Sequence, residues 1–212
     1  MEILLPERCS LRARVLFVAL PLVTLLFGAL VPSAWGQGAQ SESLLLDSAR
    51  SVVDFEIKVL WLVGVHGRFP RVHGAITLDH LRNTATVDAR LDTMTVTMRN
   101  RSHEDWVKSA EFFDAKRYPE IRFVSEPIPL QRLQSGGDVE GTLTLRGISK
   151  PVQFELAAAT CPGASNEDCP VEAEGSIRRS DFGMKSRRGA LSDRVDLSFT
   201  IYAASPARSG VH

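Results

Sequence analysis

Residues 51–59 read Ser51-Val52-Val53-Asp54-Phe55-Glu56-Ile57-Lys58-Val59, and the period in them is two. Val53, Phe55, Ile57 and Val59 fall on one side of an extended chain, Asp54, Glu56 and Lys58 on the other. That alternation is what an antiparallel strand with one dry and one wet face requires. It returns in Ala85, Val87, Ala89 and Leu91, in Val139, Gly141, Leu143 and Leu145, and in Val152, Phe154, Leu156 and Ala158. The last clean case is Val195, Leu197, Phe199 and Ile201. Less regular strands are expected over 69–79, 120–125 and 172–180, which brings the total to about eight. Turn formers separate the runs, as in Leu81-Arg82-Asn83, Ser135-Gly136-Gly137-Asp138 and Arg146-Gly147-Ile148-Ser149.

One segment departs from this habit. Residues 102–116 place Trp106, Val107, Ala110 and Phe113 at helical spacing, with Ser102 as the expected N-cap and Asp105 in the first turn. Pro119 is expected to forbid continuation. About eight one-sided strands and a single helix leave a sandwich or a closed barrel, and only closure removes the strand edges. An eight-stranded barrel is either filled by its own side chains or hollow enough for one small ligand. Periodicity does not choose between the two.

The chain has 212 residues, 25 basic and 25 acidic side chains, and 44% hydrophobic content. Those values describe one ordinary globular domain, or two small ones. A zero formal charge argues against a nucleic-acid binder, which draws most of its affinity from basic excess.

The N-terminus is a segment apart. Arg8, Arg12 and Arg14 precede an uncharged apolar run over 15–31, followed by Pro32-Ser33-Ala34-Trp35-Gly36. Basic, then apolar, then small residues at −3 and −1 is the order of a secretory signal peptide. Residues 1–36 are expected to be cleaved after Gly36, with Ala39 the alternative site; an uncleaved anchor is the competing reading, and the apolar run is short for it. The expected organisation is a signal peptide at 1–36, a linker at 37–50, the domain at 51–203 and a disordered tail at 204–212. The product is expected to be periplasmic or extracellular, with no stable membrane span after cleavage.

Of the three cysteines, Cys9 leaves with the signal, and Cys161 and Cys169 remain. An oxidising compartment permits a bridge between them, around the turn formers Pro162-Gly163-Ala164-Ser165-Asn166-Glu167-Asp168. Closing so short a loop stabilises by roughly 2–3 kcal/mol. A redox-active pair would favour CxxC spacing at a helix start, so a structural staple is expected.

Catalytic patterns are sparse. GxSxG, HExxH, a P-loop and a strand-linked GxGxxG do not occur. His66, His73 and His80 recur every seven residues, an odd interval that sends successive strand residues to opposite faces, so no metal site is expected. His103, beside Glu104 and Asp105, reads as an exposed first-turn residue. Lys185-Ser186-Arg187-Arg188-Gly189 reads as a solvated hairpin tip. Arg179 is expected to face inward if Ile177 does, and a buried guanidinium then needs a carboxylate or a ligand anion. An enzyme acting on lipids or quinones through Arg179 or His103 is the least favoured reading.

Several stretches resemble the YceI-like domain family. Residues 55–79, FEIKVLWLVGVHGRFPRVHGAITLD, are similar to its opening strands, with Gly67, Phe69 and Gly74 in its Gly-x-Phe-x-x-x-x-Gly element. Residues 109–126, SAEFFDAKRYPEIRFVSE, resemble its most specific stretch. GTLTLRGISKPV at 141–152, RRSDFGM at 178–184, and Ser192-Asp193 with Val195 complete the resemblance in order. Val59 stands where the family commonly has a polar residue, Trp106 where it usually has leucine, and the cysteine-bearing insert is not a family hallmark. The resemblance implies an all-β, antiparallel, lipocalin-like barrel with one α-helix between strands, enclosing an elongated apolar cavity for an isoprenoid or other long-chain lipid. It implies a binding protein and not an enzyme, with no cofactor, and a homodimer. A role in respiratory quinone metabolism or under envelope stress would fit, as carrier or as sequestering protein.

A site of this kind needs apolar walls rather than a motif, since each buried methylene contributes about 0.8 kcal/mol. The expected lining is Phe55, Ile57, Val72, Ile76, Val87, Leu91, Phe112, Phe113, Phe123, Leu143, Phe154 and Phe199. The alternative is a filled barrel acting as an interaction or structural module of the envelope, in which the same side chains pack on one another.

Overall fold

The computed structural model describes residues 41–161, 169–187 and 189–204. The expected signal peptide lies outside them, as does the tail beyond residue 204. Residues 37–212 form one compact unit of the chain.

Twelve antiparallel strands make a single curled sheet: β1 (Ser41–Leu45), β2 (Val52–Val59), β3 (Val63–Phe69), β4 (His73–Asp79), β5 (Thr84–Asp92), β6 (Thr97–Met98), β7 (Glu120–Ser125), β8 (Ile128–Pro129), β9 (Gly137–Leu145), β10 (Ile148–Leu156), β11 (Val171–Arg178) and β12 (Leu191–Ile201). Their order is β1-β4-β5-β7-β9-β10-β11-β12-β2-β3-β6, with β8 paired to β5. A bridge between Leu46 and Ala203, just past β1 and β12, ties the first and last described strands' ends together. All-β antiparallel architecture and a curled, barrel-type sheet follow the sequence reading.

The strand number and boundaries differ from it. About eight strands were expected, and β1, β3, β6 and β8 are additional. The segment expected as a linker contains β1, whose five residues pair with β4 in the register Ser41↔Asp79 to Leu45↔Ala75. The domain therefore begins before residue 51. Its SESLL sequence lacks a one-sided apolar pattern because β1 is an edge strand and mostly exposed. In β3 (VGVHGRF) two glycines interrupt the alternation. One of them, Gly67, sits opposite Phe55, and a Cβ there would come within 2.1 Å of the phenyl ring. Gly175 lies opposite Phe154 in the same way, with 2.4 Å available. Each ring packs over a bare patch of the neighbouring strand, an arrangement that pins register and keeps the ring close to the wall.

The helix is shorter than expected. Helix α1 (Arg101–Lys108) starts from Asn100, whose side chain accepts from Ser102 N at 2.9 Å, so Asn100 rather than Ser102 is the N-cap. It ends at Ser109, ten residues before Pro119, and hydrogen-bonded turns such as Asp114 N to Ser109 O (2.8 Å) carry the chain onward. These turns place Phe112 and Phe113 side by side in the core. A second helix, α2 (Arg132–Ser135), is a single turn that the sequence reading did not expect.

On the wet face, cross-strand ion pairs recur: Arg68 with Asp54 at 2.6 Å, and Arg122 with Asp88 at 2.8 Å. The Arg122 guanidinium, with Arg90 beside it, holds the Asp88 carboxyl at about 2. A carboxyl depressed on folding adds stability above its unfolded pKa and loses it as pH falls through the folded value. The pair is one-third exposed, so its contribution is under about 1 kcal/mol. We expect Asp88→Asn to lower the urea midpoint near neutral pH, and to have no effect below about pH 2.

The disulfide joins Cys161 to Cys169, with Cα atoms 5.8 Å apart, in the connection between β10 and β11. The residues enclosed by it lie outside those described.

Candidate functional site

The inner faces of the strands do not meet. They enclose a cavity of about 410 Å³. Its wall is apolar apart from three side chains, His103, Arg179 and Arg187. The twelve side chains singled out from the sequence all line it: Phe55 and Ile57 on β2, Val72 before β4, Ile76 on β4, Val87 and Leu91 on β5, Phe123 on β7, Leu143 on β9, Phe154 on β10, Phe199 on β12, and Phe112 and Phe113 beyond α1. The aromatic rings form three groups, one of them the pair Trp106 and Phe112 with centroids 4.4 Å apart. Phe55, Phe69 and Phe113 have centroids 5.6–6.0 Å apart, while Phe154 stands 5.3 Å from Phe123 and 4.7 Å from Phe199.

Two local features keep the site open. The Phe55 and Phe154 rings take up the space that a Cβ at Gly67 and Gly175 would need, and so lie close to the neighbouring strand. A buried hydroxyl, Ser125 Oγ, accepts from Val87 N at 2.9 Å, where β5 passes from its partner β7 to its partner β8. The backbone is therefore satisfied at a break in the ladder without a plug of extra chain.

One end of the cavity is built differently from the other. At the end formed by residues 128–139, 156 and 171–173, the lining comprises Ile128, Leu133, Val139, Leu156, Val171 and Ala173. At the opposite end, α1 and the segment 184–191 supply His103, Trp106, Met184, Arg187 and Ala190. Arg187 is the surprise of this end. Its guanidinium lies 4.7 Å from the Trp106 ring centroid and 3.6 Å from Glu111, whose carboxylate also accepts from Trp106 Nε1 at 3.0 Å. Lys185, Arg187 and Gly189 are exposed, as a solvated tip requires, and Arg187 in addition stacks at the cavity mouth. No local signal marked it, because Trp106 and Glu111 lie some eighty residues away along the chain.

Arg179 is 1% exposed. Its Nε donates to Ser192 O at 2.9 Å, its Nη1 to Met184 O and Ser186 O at 2.8 Å each, and its Nη2 to Leu191 O at 3.4 Å. The inward-facing guanidinium expected from the sequence is found, with four backbone carbonyls among its partners. Arg179 is thus the peg on which the 184–192 segment hangs, and through it the mouth. Asp193 accepts from Ser180 N at 3.0 Å and Ser180 Oγ at 2.7 Å.

The three spaced histidines stand apart. His66 on β3 lies 3.9 Å from Glu56, His80 after β4 lies 3.4 Å from Glu42, and His73 opens β4. Among the described residues no three metal-ligating side chains cluster, and no helix is long and apolar enough to cross a membrane.

Comparison with known proteins agrees with this geometry. The model of the YceI-like domain matches residues 45–203, a span that takes in the last residue of β1. A UPF0312 protein of Pseudomonas putida strain W619 is 31% identical over 192 residues, covering 87% of this chain and 94% of the relative. Among solved structures, BcnA of Burkholderia cenocepacia superposes with a TM-score of 0.64 at 23% identity, over 76% of this chain and 99% of that one. A polyisoprenoid binding domain from Saccharophagus degradans superposes with a TM-score of 0.56 at 16% identity, over 79% and 99%.

Proposed function

This chain belongs to the YceI-like domain family, and on that premise we propose that it is an exported binding protein that holds a long-chain isoprenoid or related amphiphilic lipid in its cavity. The observation that carries the proposal is the hollow, apolar interior with its polar groups gathered at one end. The solved Saccharophagus degradans domain of the same fold, named for polyisoprenoid binding, supports this choice of ligand class.

At roughly 30 Å³ for each heavy atom, the share of one water molecule in the liquid, about a dozen atoms of an extended chain fit the present volume. Ten buried methylenes offer about 8 kcal/mol before the ordering costs of association are met. The tail lies along Phe123, Phe154 and Phe199 toward Val139 and Leu156. The polar head sits at His103 and Arg187, where a carbonyl, hydroxyl or phosphate finds donors. Nothing in this arrangement requires a reacting group, and Arg179, hydrogen-bonded to four backbone carbonyls, supports the fold of the mouth. A filled barrel would offer no such space, which favours the lipid reading over an interaction module.

The test is extraction of the purified domain, residues 37–212, with organic solvent and mass spectrometry of the extract. A long-chain lipid at a near-stoichiometric level is expected. A clean extract, together with no uptake of added prenyl lipid, would overturn the proposal.

A further inference from the structure

The hairpin joining β2 to β3 ends in Leu60, Trp61, Leu62 and Val63, with 61%, 65%, 88% and 61% of their surfaces exposed. Its turn is closed by Leu62 N donating to Val59 O at 3.1 Å, and the two central residues, Leu60 and Trp61, have φ of 49° and 65°. Two consecutive left-handed residues at the centre of a β-turn, here within a three-residue hairpin loop, favour Asn-Gly on local grounds. Leucine and tryptophan are among the poorer choices there, and at this exposure their side chains gain little from packing to offset that. Four adjacent large apolar side chains held out at a hairpin tip mark a binding surface rather than ordinary scatter.

The neighbourhood of the tip identifies what it meets. Leu60 N donates to Ala190 O at 2.8 Å, and Val59 pairs with Leu191. The tip is therefore bonded to the segment that carries Arg187, the residue stacked on Trp106 at the cavity mouth. Lys58 on the hairpin and Lys185 and Arg187 on that segment are exposed. An apolar tip led by tryptophan, flanked by exposed cations and continuous with the mouth of an apolar cavity, has the chemistry of a lipid surface: the ring and aliphatic chains enter the acyl boundary while the cations meet anionic head groups.

We propose that this end of the molecule docks on an anionic lipid bilayer, with residues 60–63 inserted and Lys185 and Arg187 against the head groups, so that the cavity mouth faces the membrane. The inference deepens the lipid-binding reading and rests on it: it assigns the path by which a long-chain lipid passes between bilayer and cavity without crossing water.

The experiment is flotation of residues 37–212, which leave out the apolar run at 15–31, with vesicles of equal parts phosphatidylcholine and phosphatidylglycerol. The domain is expected to float with them, less so at high salt, and less with phosphatidylcholine alone. The double variant Leu60→Asn with Trp61→Gly installs the turn the backbone prefers, so it is expected to fold at least as stably. Its partition is expected to fall on the order of 100-fold, and Lys185→Glu is expected to weaken partition in low salt. Neither variant touches the cavity lining, so uptake of detergent-dispersed prenyl lipid is expected to be unchanged. Failure of the wild-type domain to float, or equal flotation of the double variant, overturns docking even if lipid uptake persists. Flotation without uptake would instead overturn the cavity reading and leave the docking surface standing. Sedimentation velocity showing a dimer that the double variant abolishes, with no flotation, would assign the tip to a second copy of this chain and overturn the proposal.

Discussion

Replacing Ala89 and Ala173 together by phenylalanine is expected to weaken uptake of a long-chain lipid about a thousandfold while leaving the domain folded. Both alanines line the cavity, Ala89 on β5 and Ala173 on β11. Two phenyl rings in a space of about 410 Å³ displace a large share of any chain held there. Excluding five methylenes at about 0.8 kcal/mol each removes about 4 kcal/mol, which is close to three powers of ten in affinity. Overpacking normally destabilises a core by about 1–3 kcal/mol, but here the new atoms enter an existing void. The melting temperature is therefore expected to hold or rise, and titration with a fluorescent prenyl probe reads the loss. Unchanged uptake in a folded double variant would place the ligand elsewhere.

The second large effect is on stability. Arg179→Met is expected to destabilise the domain by about 3–5 kcal/mol, because it strips the partner from buried backbone carbonyls of Met184, Ser186, Leu191 and Ser192. For a domain of this size that corresponds to a drop of roughly 10–15 °C in Tm. Lysine at the same position is expected to recover only part of the loss, since one ammonium cannot reproduce a planar fork spread over four acceptors. The outcome separates two roles. A structural peg lowers Tm and leaves the lipid affinity of the surviving folded fraction intact. A head-group ligand would lower affinity at unchanged Tm.

The sequence made the inner faces of the sheet legible because a period of two survives wherever one face is dry. Phe55 and Ile57, Val87 and Leu91, and Phe154 and Phe199 needed nothing more than that rule to be placed on the cavity side. Where the strand met a special local demand, the rule failed. β3 carries Gly67 because Phe55 lies across it, and the glycine erases one apolar position from the pattern. β1 is exposed along most of its length and so carries no one-sided signal. The N-cap is Asn100 and not Ser102, a choice the sequence left open because the two residue types are equally good caps on local chemistry. The mouth was the least legible part. Arg187 over Trp106, and the tie from Leu60 to Ala190, join segments whose association exists only once β2 and β12 are paired.

That pairing has its own consequence. β2, the second strand to be made, takes as one neighbour β12, the last, and Leu46 is bridged to Ala203. Contacts that span nearly the whole domain form slowly, and a chain stopped short of Leu191 leaves both β2 and β11 with a bare hydrogen-bonding edge. During synthesis the sheet thus stays parted between β11 and β2 until its final strand arrives. The hollow interior is created in one late event, in whichever compartment that strand is delivered to.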